Sequence, residues 1–443
     1  MESVINTRQR NDHKVFYWLF AIMLGMVAIR NVFHFEFPIY LFLGISLLIA
    51  VFCGKDDIIA FAMACIPLST AFQYKYALFI CIIAYCIRFS KNVKITYKVV
   101  PIILMLFWEM LHFGMGQFAL LEVLRGFAEL IFLGFLFSVE EEEFDLKFIT
   151  RIFAFAATIV CIFIFLIQLE QNNYDISKIF SGKFRFGAAD EEIENFGLNF
   201  NENGLGGICN LAIIGTLLVS DKGRFKVLDI IIIGLLAIFG VMTMSRTFLI
   251  CFAMIILYYF VFQNGTLDKK VIRFLSVVGI FLLSFFLLKA LLPEVIENFI
   301  ARFKESDISN GRNQLFKFYN DHITSSPIYT FFGIGLQDFK GKIETIYSVY
   351  YNVCHNGYQE FVVVWGIPGL ALLISLIYCV CAKNPYKTAK RKLLQYGPLV
   401  VLLVSVFAGQ FIRSGIYLLG LSFAYLCLNQ EVRDRKNPEI RRE

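Results

Sequence analysis

Residues 227–263 read VLDIIIIGLLAIFGVMTMSRTFLICFAMIILYYFVFQ. Two apolar runs, 227–244 and 247–263, meet at a lone cation, Arg246, with no room between them for an ordinary loop. At a rise of about 1.5 Å per residue, each run spans most of a hydrocarbon layer about 30 Å thick, so the chain crosses, turns at one surface and returns. The same pattern recurs on both sides. Further runs lie near 15–33, 37–53, 58–70, 74–89, 99–113, 118–138, 148–168, 204–220, 271–292, 358–382, 396–412 and 414–429. Several are short, so the expectation is about 12 to 14 transmembrane helices.

Composition agrees with this reading. Of 443 residues, 58% are apolar, 50 are Phe, and the mean hydropathy is +0.67, which makes the chain an all-α, polytopic integral membrane bundle. It reads as a single membrane domain, 1–443, with two long polar intervals, 169–203 and 293–357. No internal repeat or separate soluble domain is visible. The first run follows Arg8, Arg10 and Lys14 without a small-residue cleavage site, so it reads as a retained span. Ten of the 11 cysteines lie in or beside apolar runs, and Cys354 alone falls in an outer loop, which gives neither a disulfide framework nor a zinc spacing.

Counting Lys and Arg sets the orientation. With both termini cytoplasmic, roughly 26 basic residues fall inside and about 14 outside. Both long intervals are then outside. The net charge of +6 needs no nucleic acid, because anionic lipid of the inner leaflet is partner enough.

A polar interval as long as 293–357 on a membrane bundle is where function is expected, since long loops are usually functional. Val295, Ile296, Phe299, Ile300 and Phe303 recur at helical spacing in its first part. After Asn310-Gly311, Arg312 opens a second helical stretch with Leu315, Phe316, Tyr319 and Ile323 on one face. Pro327 and Phe332-Gly333-Ile334-Gly335 break it, so the interval predicts a small helical cap. It ends at His355-Asn356-Gly357, where the next span begins.

Charges at the membrane boundary give the chemistry. Arg185, Arg246, Arg312 and Arg413 all fall on the outer side, where the positive-inside rule disfavours cations without a task. An arginine fork matches the oxygens of a phosphate, and at that depth a lipid-linked diphosphate is the natural anion. Arg125 lies deeper, with Glu122 and Glu129 on one helix face, and a structural ion pair there is the plainer reading. For Arg246 and Arg413 the plainer reading is snorkelling to the interface. The Asn-rich segment 199–203 needs no role beyond capping a helix, and His355 none beyond satisfying loop backbone.

Taken together, four pieces resemble the O-antigen polymerase and ligase superfamily, the Wzy and WaaL type of membrane glycosyltransferase. They are Arg185-Phe186-Gly187 with Asn201-Glu202-Asn203-Gly204, Ser245-Arg246-Thr247, Gly311-Arg312 with Phe332-Gly333-Ile334-Gly335, and His355-Asn356 leading into Gly366-Ile367-Pro368-Gly369. The resemblance covers residues 180–375, and the first half of the chain matches in hydropathy only. Glu202 stands where the family usually has proline, which leaves the role of Asn203 open.

The resemblance implies transfer of a glycan from an undecaprenyl-diphosphate carrier to an acceptor hydroxyl, on the outer face of the bacterial cytoplasmic membrane, with no cofactor or metal. The implied partners are lipid-linked oligosaccharides and membrane lipid, with a flippase and a chain-length regulator beside them. The expected site has Arg246 and Arg312 on the diphosphate, with Arg185, Arg413, Arg125, Asn203 and Asn356 as further binding residues. His355 is the expected base, Glu360 the second choice and Glu122 a distant third. The polymerase branch comes first, because joining two diphosphate-linked substrates gives many cations a purpose. Ligation of finished glycan to lipid A core is the second reading. A lipid-linked oligosaccharide flippase or other transporter is the third, less favoured because the polar positions gather at one boundary without a repeat.

Overall fold

The computed structural model describes residues 13–89, 93–113, 120–175, 186–187, 198, 200–220, 226–263, 265–291, 293, 296–297, 300–301, 312–336, 339–347, 354–384, 391–407, 409, 411–412 and 414–432. In chain order the helices are α1 (Lys14–Asn31), α2 (Tyr40–Phe52), α3 (Lys55–Ala64), α4 (Tyr74–Phe89), α5 (Val100–Phe113), α6 (Leu120–Gly126), α7 (Ala128–Ser138), α8 (Leu146–Gln171) and α9 (Glu202–Ser220). After them come α10 (Val227–Met242), α11 (Arg246–Phe262), α12 (Leu267–Leu291), α13 (Arg312–Ser325), α14 (Pro327–Phe332), α15 (Phe339–Tyr347), α16 (Gly357–Cys381), α17 (Gly397–Val406) and α18 (Gly415–Asn429). A helix lies in every apolar run read from the sequence, and no strand occurs among the described residues. The protein is an all-α polytopic membrane protein. Among the described residues five helices, α1, α8, α9, α12 and α16, are long and apolar enough by length and composition to cross a membrane by themselves.

The bundle is built around α9. Its apolar window is 94% buried, against 17% for α12, which leaves most of its Leu and Phe side chains facing outward. A helix surrounded by protein must be apolar all round and narrow, and α9 meets this with Gly204, Gly206, Gly207 and Gly215. It packs against α8, α10, α11, α17 and α18. Far from the cap, charges pair across helices: Arg151 forks onto Asp229 with bonds of 2.8 and 3.2 Å, and Lys98 is paired with Glu140. Burial of such charges is tolerable only when they are partnered in this way. All eleven cysteines are free thiols.

The cap is helical, as expected, with α13 ending before Pro327 and α14 ending at Gly333. Its packing face differs in one detail. Tyr319 and His322 are buried, whereas Phe316 is exposed and offers its carbonyl to Gln359 instead. The helix read over Val295–Phe303 lies largely outside the described residues.

Gly333 and Gly366 bring cap and bundle together backbone to backbone. α16 loses helical geometry at Gly366 (φ 67°, ψ −162°), and Pro368 has no N–H to offer the Val364 carbonyl. The carbonyls so freed accept from the cap: Ile334 N donates to Val363 O at 3.0 Å and Gly335 N to Val364 O at 2.8 Å. A Cβ at Gly333 would lie 2.4 Å from Val364 O, and one at Gly366 would lie 2.3 Å from Phe331 O. Both residues also have positive φ, so only glycine fits either place.

The single helix expected over 118–138 is two helices, α6 and α7, divided at Phe127 (φ −110°, ψ 19°). The break removes the common face on which Arg125 was expected to pair with Glu129. Glu129 is fully buried and engages Tyr74 Oη and, at 3.4 Å, Lys75 Nζ. The side chain of Glu122 lies outside the described residues.

Candidate functional site

The α10–α11 turn is fixed by its own small polar residues. Thr243 Oγ1 accepts from Ser245 N, and Ser245 caps α11 by accepting from Phe248 N at 3.2 Å. The Ser245 hydroxyl in turn donates to Asn203 Oδ1 at 2.7 Å, and Asn203 N donates to Asn201 Oδ1 at 2.9 Å. Arg246, the first residue of α11, is therefore held beside the start of α9. Its side chain is half-buried.

The loop before α16 is fixed in a comparable way. Asn356 is the N-cap, its Oδ1 accepting from Tyr358 N at 3.0 Å and Gln359 N at 3.2 Å. His355, one residue earlier, has φ +52°. Met244, just before Ser245-Arg246, has φ +51°. Left-handed backbone is costly for non-glycine residues and persists where surrounding structure imposes it, commonly at functional sites.

The charges of Arg312 and Glu202 both reach His355. Burial lowers the His355 pKa from its ordinary value, the Arg312 guanidinium lowers it further, and the Glu202 carboxylate opposes both. The ring is thus biased towards the neutral form that can accept a proton. Arg312 opens α13, and Gln359 ties α13 to α16 by donating to Phe316 O at 2.7 Å and Asn320 Oδ1 at 3.0 Å. The charge of Arg312 also reaches Tyr417 on α18. A Cβ at Gly204 would lie 3.2 Å from Ile416 Cδ1, so the starts of α9 and α18 are adjacent too.

These contacts gather the N-terminal ends of α9, α11, α13, α16 and α18 into one region. Each such end carries the partial positive charge of its helix and unbonded N–H groups, and favours an anion. Arg246 and Arg312 add full charges. Beside them is an apolar cavity of about 380 Å³ lined by Thr247, Ile250, Tyr358, Leu403, Val404 and Phe407. Ile250 and Phe407 are 63% and 65% exposed, so the cavity opens sideways from the bundle.

Other expected residues are placed differently. Glu360 is buried and its Oε2 accepts from Phe411 N at 2.7 Å and Ile412 N at 3.0 Å, so it holds the turn before α18. The Oδ1 atoms of Asn203 and Asn356 are engaged in the tether and the cap. Arg125 ends α6, and the described contacts do not bring it to this group. Arg185 and Arg413 lie outside the described residues. Among the described residues, no three His, Cys, Asp or Glu side chains form a metal-holding group.

Two features were not anticipated from the sequence. Glu202 was read only as a departure from the family pattern, although its place one residue before Asn203 at a helix start was a signal. Trp108, Glu109 and His112 on α5 were passed over inside an apolar run, where an acidic residue was itself the signal.

Residues 231–374 match the family model described as O-antigen ligase (Wzy_C). No curated protein matches the chain. The matched segment runs from α10 through the cap into α16, so it contains Arg246, Arg312, His355 and Glu360, while Glu202 and Asn203 lie before it. Over this segment the chain is similar to the O-antigen polymerase and ligase superfamily.

Proposed function

We propose that the protein is a repeat-unit polymerase of surface polysaccharide. It transfers a glycan from undecaprenyl diphosphate to a hydroxyl of a second lipid-linked unit, at the outer face of the bacterial cytoplasmic membrane. The observation that carries this reading is the position of Arg246, Arg312 and His355 at the gathered helix starts, next to an apolar cavity that opens sideways. A ligand with a diphosphate and a long hydrocarbon chain matches both halves of that site.

In the reaction, the acceptor oxygen bonds to the anomeric carbon as the bond from that carbon to the diphosphate oxygen breaks. The hydroxyl proton passes to His355, and undecaprenyl diphosphate departs with the electron pair. Arg246 and Arg312, with Arg185 and Arg413, stabilise the charge that grows on the leaving group. Burial and Arg312 keep His355 neutral before transfer, and the Glu202 carboxylate helps to stabilise the cation it becomes afterwards. Glu360 acts by holding the turn before α18, and Asn203 and Asn356 act by fixing Arg246 and His355. Both termini are cytoplasmic in this arrangement, and the cap faces outwards.

The description of the matching family favours a second reading, ligation of a finished glycan to lipid A core. Surface glycan from a deletion strain separates the two. Loss of a polymerase leaves single repeat units, whereas loss of a ligase leaves long chains on their lipid carrier.

A further inference from the structure

We propose that Glu109 is a positioning residue for this transfer: it anchors residues 332–336 of the cap against the break in α16 and so keeps Arg312 and His355 in register. The inference rests on the proposed reaction for its consequence and on the following contacts for its geometry.

Glu109, near the C-terminal end of α5, is 1% exposed. Its Oε2 accepts from Trp365 Nε1 at 2.6 Å, and Leu336 N lies 3.1 Å from each carboxylate oxygen. One side chain of α5 thus binds α16 at the residue before its break and the cap at the end of its Gly333–Leu336 strap. The neighbours of Glu109 on α5 complete the socket. Trp108 Nε1 donates to Trp365 O at 3.1 Å, and its ring lies parallel to Phe332 with centroids 5.7 Å apart. The His112 ring spans Trp108 O and Phe332 O, at 2.9 and 2.7 Å. A Cβ at Gly335 would lie 2.9 Å from His112 Cβ, so the strap fits closely.

The strap is the short link between the two expected reacting groups. On one side, Thr330 Oγ1 donates to Ile323 O at 2.7 Å and fastens α14 to α13, which begins at Arg312. On the other side, the strap lies along α16, which His355 precedes. A charge buried in the membrane interior is unfavourable by several kcal/mol unless its oxygens are bonded. Apolar packing would hold α5 to α16 without that cost. What apolar packing cannot supply is an acceptor for both the indole N–H and the Leu336 N–H, which sit where the helix is broken and no regular backbone partner exists. A carboxylate meets both.

The test uses the full chain in lipid nanodiscs, with amide exchange of residues 332–336 and steady-state transfer between lipid-linked repeat units. In Glu109→Ala, exchange of the strap should accelerate and kcat should fall about 10- to 100-fold, the scale expected when reacting groups lose alignment. KM for the donor should stay within about twofold, because the alignment lost acts on charge that grows in the transition state rather than on the bound donor. Glu109→Gln keeps one acceptor oxygen and should recover part of the rate. Trp365→Phe removes one donor while keeping an aromatic ring against Phe127 and Phe361, and should move both readouts in the same direction by less. Arg312→Ala is the reference: it should lower transfer by roughly 10²- to 10³-fold with strap exchange unchanged. Unchanged exchange in Glu109→Ala, or faster exchange with normal kcat, overturns the proposal. Normal transfer by Arg312→Ala overturns the reaction itself, and with it any positioning role, whatever the exchange shows.

Discussion

The Ser245 hydroxyl donates to Asn203 Oδ1 at 2.7 Å, joining the start of α11 to the start of α9 one residue from Arg246. The same hydroxyl caps α11. Ser245→Ala removes both bonds, and should lower stability by about 1 kcal/mol, the usual loss for a helix cap. Asn203→Ala removes the tether and leaves the cap, so it should leave the melting temperature nearer to wild type while still reducing transfer. Thermal unfolding in detergent beside a transfer assay separates the two effects.

The pH dependence of transfer should report His355. Burial and Arg312 lower its pKa, so the acidic limb of the rate profile should lie below pH 6.5, the ordinary histidine value of about that size. Rate falls as pH falls through that pKa, because the protonated ring cannot accept the acceptor's proton. Removing the opposing carboxylate by Glu202→Gln should move the limb to lower pH still. A limb that stays in place in Glu202→Gln argues against Glu202 acting on His355.

The cap contains a second histidine with a different consequence. His322 is buried and stacked on Tyr329 with centroids 4.4 Å apart, and burial lowers its pKa to about 4. In an unfolded cap the value returns to about 6.5. Between those values the unfolded state binds a proton that the folded state refuses, so stability is constant above pH 6.5 and declines towards pH 4, by at most about 1.4 kcal/mol per pH unit. Melting curves at pH 7.5 and 5.0 should differ more for wild type than for His322→Phe.

The apolar cavity should govern the lipid half of the donor. Leu403→Trp places a large ring among Thr247, Ile250 and Tyr358. KM should rise several-fold for a donor on a full-length polyprenyl chain and remain near wild type for a short-chain analogue, because hydrocarbon burial is lost in proportion to the area displaced. Equal effects on the two donors would place the chain elsewhere.

Sequence periodicity made the bundle legible because lipid imposes one rule on every spanning segment: apolar side chains and a self-satisfied backbone. The runs at 227–244 and 247–263 became α10 and α11 for that reason. In the proposed site, the residues that stood out in the sequence are those where charge and position coincide, Arg246, Arg312 and His355. The site was less legible where a polar group serves another polar group. Glu360 carries the same charge whether it takes a proton or holds Phe411 N and Ile412 N, and spacing along the chain does not distinguish these. Glu109 was hidden differently, since its partners Leu336 and Trp365 are more than two hundred residues away. The pairing of Arg125 with Glu129 assumed an unbroken helix through Phe127, whereas Glu129 engages Tyr74 and Lys75.

In the proposed reaction Arg246, Arg312 and His355 act on one diphosphate-linked donor. The most direct measurement is polymerisation of purified lipid-linked repeat units by Arg246→Ala, Arg312→Ala and His355→Ala proteins that insert normally. Each arginine variant should lose about 2 to 4 kcal/mol of transition-state stabilisation, a fall of roughly 10²- to 10³-fold in rate, and His355→Ala should lose the acidic limb along with most of its activity. Near-normal chain formation by all three variants would contradict the account.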